Sequence, residues 1–172
     1  KEDSPKNLQM VKLLCKRRPD IKVVAAIPAL NEEKSIAKVI IGTLRYVHRV
    51  IVVDDGSQDM TAEIAERLGA EVIRHERDLG KGSAFKSLFG RALELDADVV
   101  VTLDADGQHD PGEIPHLVKP ILSGDADITV GSRFLAGDNR MPLYRRFGTR
   151  VLNRLVNTRA RGKRKVSDTQ SG

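Results

Sequence analysis

Val99-Val100-Val101-Thr102-Leu103 runs without a break into Asp104-Ala105-Asp106. Such a run, with Thr102 its one polar member and no charge, describes a strand covered on both faces. Strands of that kind belong to parallel sheets with helices above and below. The rest of the chain repeats the theme. Lys22 to Pro28 (KVVAAIP) and Arg49 to Val53 (RVIVV) are similar runs, and Glu71 to Arg74 and Asp127 to Val130 are shorter ones. Between them lie stretches with helical signals. Glu33 to Leu44 carries Ile36, Val39, Ile40 and Leu44 in step, and Met60 to Leu68 sits between a capping Asp59 and a closing Gly69. Ser83 to Leu95 is a third helix, and a fourth follows Asp110-Pro111 to Ser123. Strands separated by single helices imply crossover connections and a mostly parallel central sheet flanked by helices, an α/β fold.

Outside this repeat, the spacing predicts a helix over Leu8 to Arg17, a basic amphipathic helix over Tyr144 to Asn157, and a short strand over Lys165 to Ser167. Residues 1–20 are therefore expected to be an N-terminal helical extension, and 21–172 one domain. A chain of 172 residues suits a single core of this kind. It begins without Met and stops on Ser171-Gly172 with no closing element, so a truncated C-terminal end is expected.

Composition narrows the function. Aromatic residues make up 3% of the chain and Trp is absent, which argues against a nucleic-acid surface built on stacking. The single cysteine, Cys15, supports neither an internal disulfide nor a thiolate zinc site, and it fits a reducing, cytoplasmic setting. No apolar run approaches the ~18 residues of a membrane span. The net charge of +5 is unevenly spread: Asn139 to Ser167 holds ten Lys and Arg and no acid, leaving 19 basic against 24 acidic residues elsewhere. An acidic body with a basic C-terminal end points to anions at that end, whether phosphates or lipid headgroups; a solvated helix face is the plainer reading.

In an open parallel sheet, ligands bind beyond the carboxyl ends of the strands. The polar clusters of this chain fall there: Pro28, Asn31 and Glu32 after the first strand; Asp54-Asp55-Gly56-Ser57 after the second; Asp104, Asp106 and Gln108 after the third strong one; and Arg133 after the run ending at Val130. At strand spacing Asp104 and Asp106 point the same way. Two hard oxygen ligands with open positions suit Mg²⁺ or Mn²⁺, which completes its shell with substrate phosphates, and Gln108 or His109 is placed to add a ligand. Asp54 to Ser57 fits either a turn with an Asx-type bond or a carboxylate that accepts hydrogen bonds from a base or ribose. Leu79-Gly80-Lys81-Gly82 matches neither phosphate-loop pattern, but Lys81 is placed to hold a phosphate. His48, His75 and His116 have no ligand partner at suitable spacing.

Six segments together resemble glycosyltransferase family 2, and within it the dolichyl-phosphate (polyprenyl-phosphate) mannose synthase-like group. They are Ile27-Pro28-Ala29-Leu30-Asn31-Glu32-Glu33, Val52-Val53-Asp54-Asp55-Gly56-Ser57, Gly80-Lys81-Gly82, Asp104-Ala105-Asp106-Gly107-Gln108-His109-Asp110-Pro111, Gly131-Ser132-Arg133 and Ser167 to Gly172. The resemblance implies a GT-A fold and inverting transfer of a hexose from GDP-mannose or UDP-glucose. It implies a nucleoside pocket of Pro28, Leu30, Glu32, Val53 and Asp55, and a metal and diphosphate site of Asp104, Ala105, Asp106 and Gln108. Arg133, with Arg145 or Arg146, is then a phosphate contact, and Asp168 lies near the acceptor. Asp104, Asp106 and Asp168 are the candidate catalytic residues. A polyprenyl or dolichyl phosphate acceptor would place the enzyme at the cytoplasmic face of an anionic membrane, with no nucleic-acid partner.

Three other readings are distinguishable. A nucleotidyltransferase would show a Gly-rich loop after the first strand, where this chain has Pro28-Ala29-Leu30-Asn31. A glycoside hydrolase would work with two carboxylates and survive EDTA. A basic module docking on RNA or membrane would respond to salt and to neither metal nor nucleotide. Within the family, a sugar or protein hydroxyl acceptor is the alternative to a lipid phosphate, and it would need a base such as Asp168.

Overall fold

The structure, a computed structural model, describes residues 21–131. The chain divides into two compact units, Lys1–Asp127 and Ile128–Gly172. Every element below belongs to the first. In chain order they are β1 (Val23–Ala29), α1 (Ile36–Thr43), β2 (Arg49–Asp54), α2 (Thr61–Arg67), β3 (Glu71–Arg74), α3 (Lys81–Glu94), β4 (Val99–Thr102), a single 3₁₀ turn (Pro111–Glu113) and α4 (Ile114–Leu122).

The four strands form one sheet in the order β3-β2-β1-β4, and every pairing is parallel. The chain steps outward from β1 to β3 and then returns to the other side of β1 with β4. That reversal makes the gap between the tips of β1 and β4 the switch point of the sheet, where ligands of such folds settle.

Alternation along the strands divides the core into two layers. Val23, Ala25, Ile27, Val50, Val52, Val99 and Val101 pack with Ile36, Val39 and Ile40 of α1, Ala65 of α2, and Ile114 and Val118 of α4. Val24, Ala26, Ile51 and Val53 face the opposite side and meet Ala84, Leu88 and Ala92 of α3. Both faces of β1 and β2 are thus buried, which is why these strands read as continuous apolar runs. Small side chains on both sides, Ala26 against Ala84 and Ala92, let α3 approach the sheet closely.

The expected elements recur with shifted ends. Gly69 closes α2 at φ +83, and Asp110 caps the following turn, its side chain accepting the Gly112 N–H at 2.9 Å. The helix expected from Glu33 starts at Ile36, because Glu32 and Glu33 are taken up in a turn whose bonds reach the next loop. The first turn after Asp110 is 3₁₀ rather than α. The strand expected over Asp127 to Val130 does not form: Ile128 and Val130 are 81% and 64% exposed and join no ladder. Apolar alternation over four residues marks a strand only where a partner supplies hydrogen bonds, and local sequence carries no information about the partner. The helices expected over Leu8 to Arg17 and Tyr144 to Asn157, the strand over Lys165 to Ser167, and Arg133, Arg145, Arg146 and Asp168 lie outside the described residues.

Candidate active site

Four loops leave the carboxyl edge of the sheet. Those after β1 and β2 are laced together. The Asn31 N–H donates to Ser57 Oγ (2.8 Å), Gln58 N–H to Asn31 Oδ1 (2.9 Å), Glu32 N–H to Thr61 Oγ1 (2.8 Å), Glu33 N–H to Asp59 Oδ2 (3.1 Å) and Met60 N–H to Glu33 Oε2 (3.3 Å). Asn31 adopts φ +56, a left-handed conformation that Asn tolerates better than most side chains. Each bond joins a side chain to a backbone amide, so the loops hold their shape without a hydrophobic core of their own.

The loop after β3 closes over the other two. Gly56 has φ +84, and a Cβ there would lie 2.6 Å from the Arg77 carbonyl carbon. Backbone approaches backbone at this point, and only glycine fits. A cavity of about 540 Å³ opens where the three loops meet, with Leu30, Asn31, Ser57, His75, Arg77 and Asp78 in its wall.

Asp54 and Asp55 serve different ends. Asp54 Oδ1 accepts the Ser57 N–H at 3.3 Å, the Asx-type bond of a turn. Asp55 Oδ1 lies 2.6 Å from His75 Nδ1 and accepts the Leu79 N–H at 3.0 Å, while His75 Nε2 is 3.0 Å from Ser87 Oγ on α3. Both side chains are nearly sealed, 6% exposed for Asp55 and 10% for His75. Burial pushes the Asp55 carboxyl up, but the hydrogen bonds from His75 and Leu79 together outweigh it and hold the group below its usual range.

At the tip of β4, Asp104 and Asp106 sit in a turn rather than on the strand, which ends at Thr102. Strand spacing therefore does not set their directions, although the alternation of burial continues, with Leu103 and Ala105 buried, Asp104 half-buried and Asp106 exposed. Lys81 Nζ donates to Asp104 Oδ1 at 2.8 Å. The Asp104 N–H donates to His109 Nδ1 at 3.0 Å, and His109 Nε2 stands 4.0 Å from Asp104 Oδ2. Asp106 Oδ1 accepts the Gln108 N–H at 2.8 Å, which folds the turn and orients that carboxylate.

The expected nucleoside residues are spread over two depths. Leu30 lines the cavity, Pro28 and Val53 are register partners in the sheet with Val53 fully buried, and Glu32 Oε2 accepts the Ser35 hydroxyl at 2.6 Å. Lys81, Asp104, Ala105, Asp106 and Gln108 gather at the β4 tip, outside the wall of the cavity. The loop after β3 connects the two regions: it walls the cavity from Arg74 to Asp78 and delivers Lys81 to Asp104. Sequence reasoning passed over His75, Arg77 and Ser87. The strand-end rule applied to short β3 would have found the first two, but Ser87 lies within a helix and carries no local signal.

Residues 24–169 match the family described as Glycosyl transferase family 2. The chain belongs to that family. Among relatives of this family 2 chain is a UDP-N-acetylglucosamine–dolichyl-phosphate N-acetylglucosaminyltransferase from Methanococcus voltae, 35% identical over 89% of the chain and 68% of the relative. A polyprenol monophosphomannose synthase from Mycolicibacterium smegmatis is 33% identical over 84% of the chain and 56% of the relative. Among solved structures, glucosyl-3-phosphoglycerate synthase from Mycobacterium tuberculosis, in complex with Mn²⁺, UDP-glucose and phosphoglyceric acid, superposes with a TM-score of 0.55 at 32% identity, covering 67% of this chain and 44% of that one. The family 2 chain has the GT-A fold and spans only part of the length of these relatives.

The β4 tip fits a divalent ion of the Mg²⁺ or Mn²⁺ type. It offers hard carboxylate oxygens, an exposed one at Asp106 and a half-buried one at Asp104, and Asp104 already holds one cationic group. Among the described residues no three His, Cys, Asp or Glu side chains form a closed cage. An ion that keeps several positions for water and phosphate oxygens needs no such cage.

Proposed function

We propose that this family 2 chain is the donor-binding, catalytic part of an inverting glycosyltransferase that moves a hexose from a nucleotide-sugar, GDP-mannose or UDP-glucose, to a polyprenyl or dolichyl phosphate. The observation that carries this reading is the Asp104–Asp106 turn at the tip of β4, next to central β1 and the laced loops. The names of the archaeal and mycobacterial relatives, which act on dolichyl and polyprenol phosphates, support the acceptor.

In this reading Asp104 and Asp106, with Gln108 beside them, hold Mg²⁺ or Mn²⁺ against the donor diphosphate. When bound, the ion supplies positive charge where the leaving group gains negative charge. Lys81, already at Asp104, lies within reach of the same phosphates. The cavity between the first three loops holds the nucleoside, with Leu30 in its wall and Asp55 behind it. A phosphate acceptor brings an oxygen that is anionic near neutral pH, so the attack needs no general base. The ten basic residues between Asn139 and Ser167 suit a lipid phosphate and an anionic cytoplasmic membrane face, at about 1 kcal/mol per residue near the surface.

The test is transfer by the full chain from labelled GDP-mannose or UDP-glucose to polyprenyl phosphate in vesicles, with Mn²⁺ and with EDTA. EDTA-sensitive labelling of the lipid is expected. Labelling of a soluble hydroxyl compound instead of the lipid would shift the acceptor to the alternative, and calorimetry showing no UDP or GDP binding with Mn²⁺ would remove the donor assignment.

A further inference from the structure

Helix α3 carries two apolar rows, and only one lies wholly in the core. Ala84, Leu88 and Ala92 pack against the sheet. Phe85, Phe89 and Leu93 form the second row, one residue further on. Each step of four residues overshoots the helical turn by about 40°, so this row winds out of the core. Phe85 is half-buried, Phe89 is 46% exposed and Leu93 is 76% exposed. The Phe85 and Phe89 rings stack with centroids 5.8 Å apart. The chain has only four Phe, two Tyr and no Trp, so this pair concentrates a scarce residue class on one outward row.

The margin of the row is cationic. Residues 21–131 hold 12 Lys and Arg against 19 Asp and Glu, yet α3 has Lys81, Lys86 and Arg91 against Glu94 alone. Arg91 and Glu94 pair at 2.7 Å, and Arg91 also binds Glu71 of β3. Lys86 is exposed and stands three residues from Phe89, its neighbour on the helix surface. Gly90 lies between Lys86 and Leu93, and a Cβ there would meet nothing within 4 Å. Glycine weakens a helix interior, and no packing inside the molecule calls for it here. Its missing side chain lets an outside surface approach the helix backbone.

We infer that this face of α3 lies on an anionic lipid bilayer, with Phe89 and Leu93 at the boundary of headgroups and acyl chains and Lys86 among the lipid phosphates. Helices that rest on membranes combine Phe and Leu on one face with flanking Lys in this way. Other occupants fit less well. Three side chains of at most ~250 Å² each stay below the roughly 800 Å² per partner of a stable protein interface. A two-fold pair of copies would also bring like-charged faces together. The rest of the chain is basic too: 1–20 holds six Lys and Arg against three acids, and 132–172 eleven against two. A convex helix face cannot enclose a single lipid chain, but it can sink into a layer. The row is continuous with the candidate site, since the Phe85 ring centroid lies 5.9 Å from Lys81 Nζ, which holds Asp104 at 2.8 Å. A bilayer along α3 therefore runs up to the β4 tip, where the proposed function needs an acceptor anchored in it. The inference rests on that reading for the acceptor, while docking itself needs neither donor nor metal.

Sedimentation of the full chain with phosphatidylcholine vesicles, with and without phosphatidylglycerol, tests it. The unaltered protein should bind the anionic vesicles more tightly, and Phe89→Ser together with Leu93→Ser should lower that affinity at least about tenfold. Ile41→Ser removes a 55% exposed side chain from α1, on the other side of the sheet, and should change it less than about twofold. Lys86→Glu should cost several-fold on anionic vesicles and little on neutral ones. A spin label at Leu93→Cys, in a Cys15→Ser background, should lose access to a water-soluble relaxant when vesicles are added. No binding by the unaltered protein, equal losses in the Ile41 variant, or unchanged binding in the double variant would each overturn the inference. Self-association that the double variant abolishes would seat a second copy on the face instead. Docking without transfer to polyprenyl phosphate would remove the proposed function and leave this face standing. Transfer with the label still in water would do the reverse.

Discussion

Lys81 Nζ and Asp104 Oδ1 meet at 2.8 Å, tying the first residue of α3 to the turn beyond β4. A side-chain cation thus occupies an oxygen that the proposed donor site assigns to a metal ion. The two positive charges compete for one carboxylate.

Lys81→Ala is accordingly expected to tighten Mn²⁺ binding to the nucleotide-free chain by about two- to fivefold, since an ion pair this exposed is worth only ~0.2–1 kcal/mol. The same change should weaken UDP or GDP binding, because a cation near the diphosphate is lost. Titration of Mn²⁺ by electron paramagnetic resonance measures the first effect. Unchanged Mn²⁺ affinity would separate Asp104 from the metal.

Asp106→Asn retains an oxygen to accept the Gln108 N–H, so the turn should persist while the charge disappears. Transfer is expected to fall at least about a hundredfold, the scale of removing one electrostatic contact worth ~3–4 kcal/mol in the transition state. The thermal midpoint should move little. Equal loss of activity and of folded protein would mean the side chain is structural.

Gly56 and Gly80 separate two costs of replacing a glycine. Both have positive φ, +84 and +86, but a Cβ at Gly80 meets nothing within 4 Å, whereas one at Gly56 strikes the Arg77 backbone. Gly80→Ala is expected to destabilise by about 1–3 kcal/mol from strain alone, and Gly56→Ala by more, because its Cβ also strikes the Arg77 backbone. Urea unfolding with matched slopes distinguishes them, and equal losses would contradict the close approach of the two loops.

Asp59 controls acid stability at the lacing. Burial raises its carboxyl, but the Thr61 hydroxyl and the Thr61 and Glu33 amides hold it below the ordinary 3.8. A depressed folded-state value means that the unfolded chain binds the proton first as pH falls. The stabilisation is present above about pH 3.8 and is lost on descending through the folded-state value. Asp59→Asn should remove part of that acid-side slope and leave stability flatter below pH 4, as followed by circular dichroism across pH. An unchanged slope would exclude Asp59 as a contributor.

Much of the architecture was legible because buried parallel strands announce themselves. Arg49 to Val53 and Val99 to Leu103 could hardly be anything else, and Gly69 and Asp110 marked helix ends by local chemistry. Asp127 to Val130 looked similar yet forms no strand, because pairing depends on a neighbour that the segment does not specify. The acidic clusters were found by one rule, that ligands gather past strand ends. That rule took in Asp55 and reaches His75 only when it is extended to short β3, while the 2.6 Å pairing of the two is set by the tertiary structure.

The sequence alone determined the alternation of strands and helices and the residues at each strand's carboxyl end, because these depend on periodicity and on chemistry within a few neighbours. Tertiary structure decided which of those residues meet. Lys81 reaches Asp104 across 23 positions, Asn31 binds the loop 27 positions ahead, and one oxygen of Asp55 is used up by groups 20 and 24 positions away. Hydrogen bonds between distant residues are settled by strand order and loop shape, and the order β3-β2-β1-β4 is a property of the packed sheet as a whole.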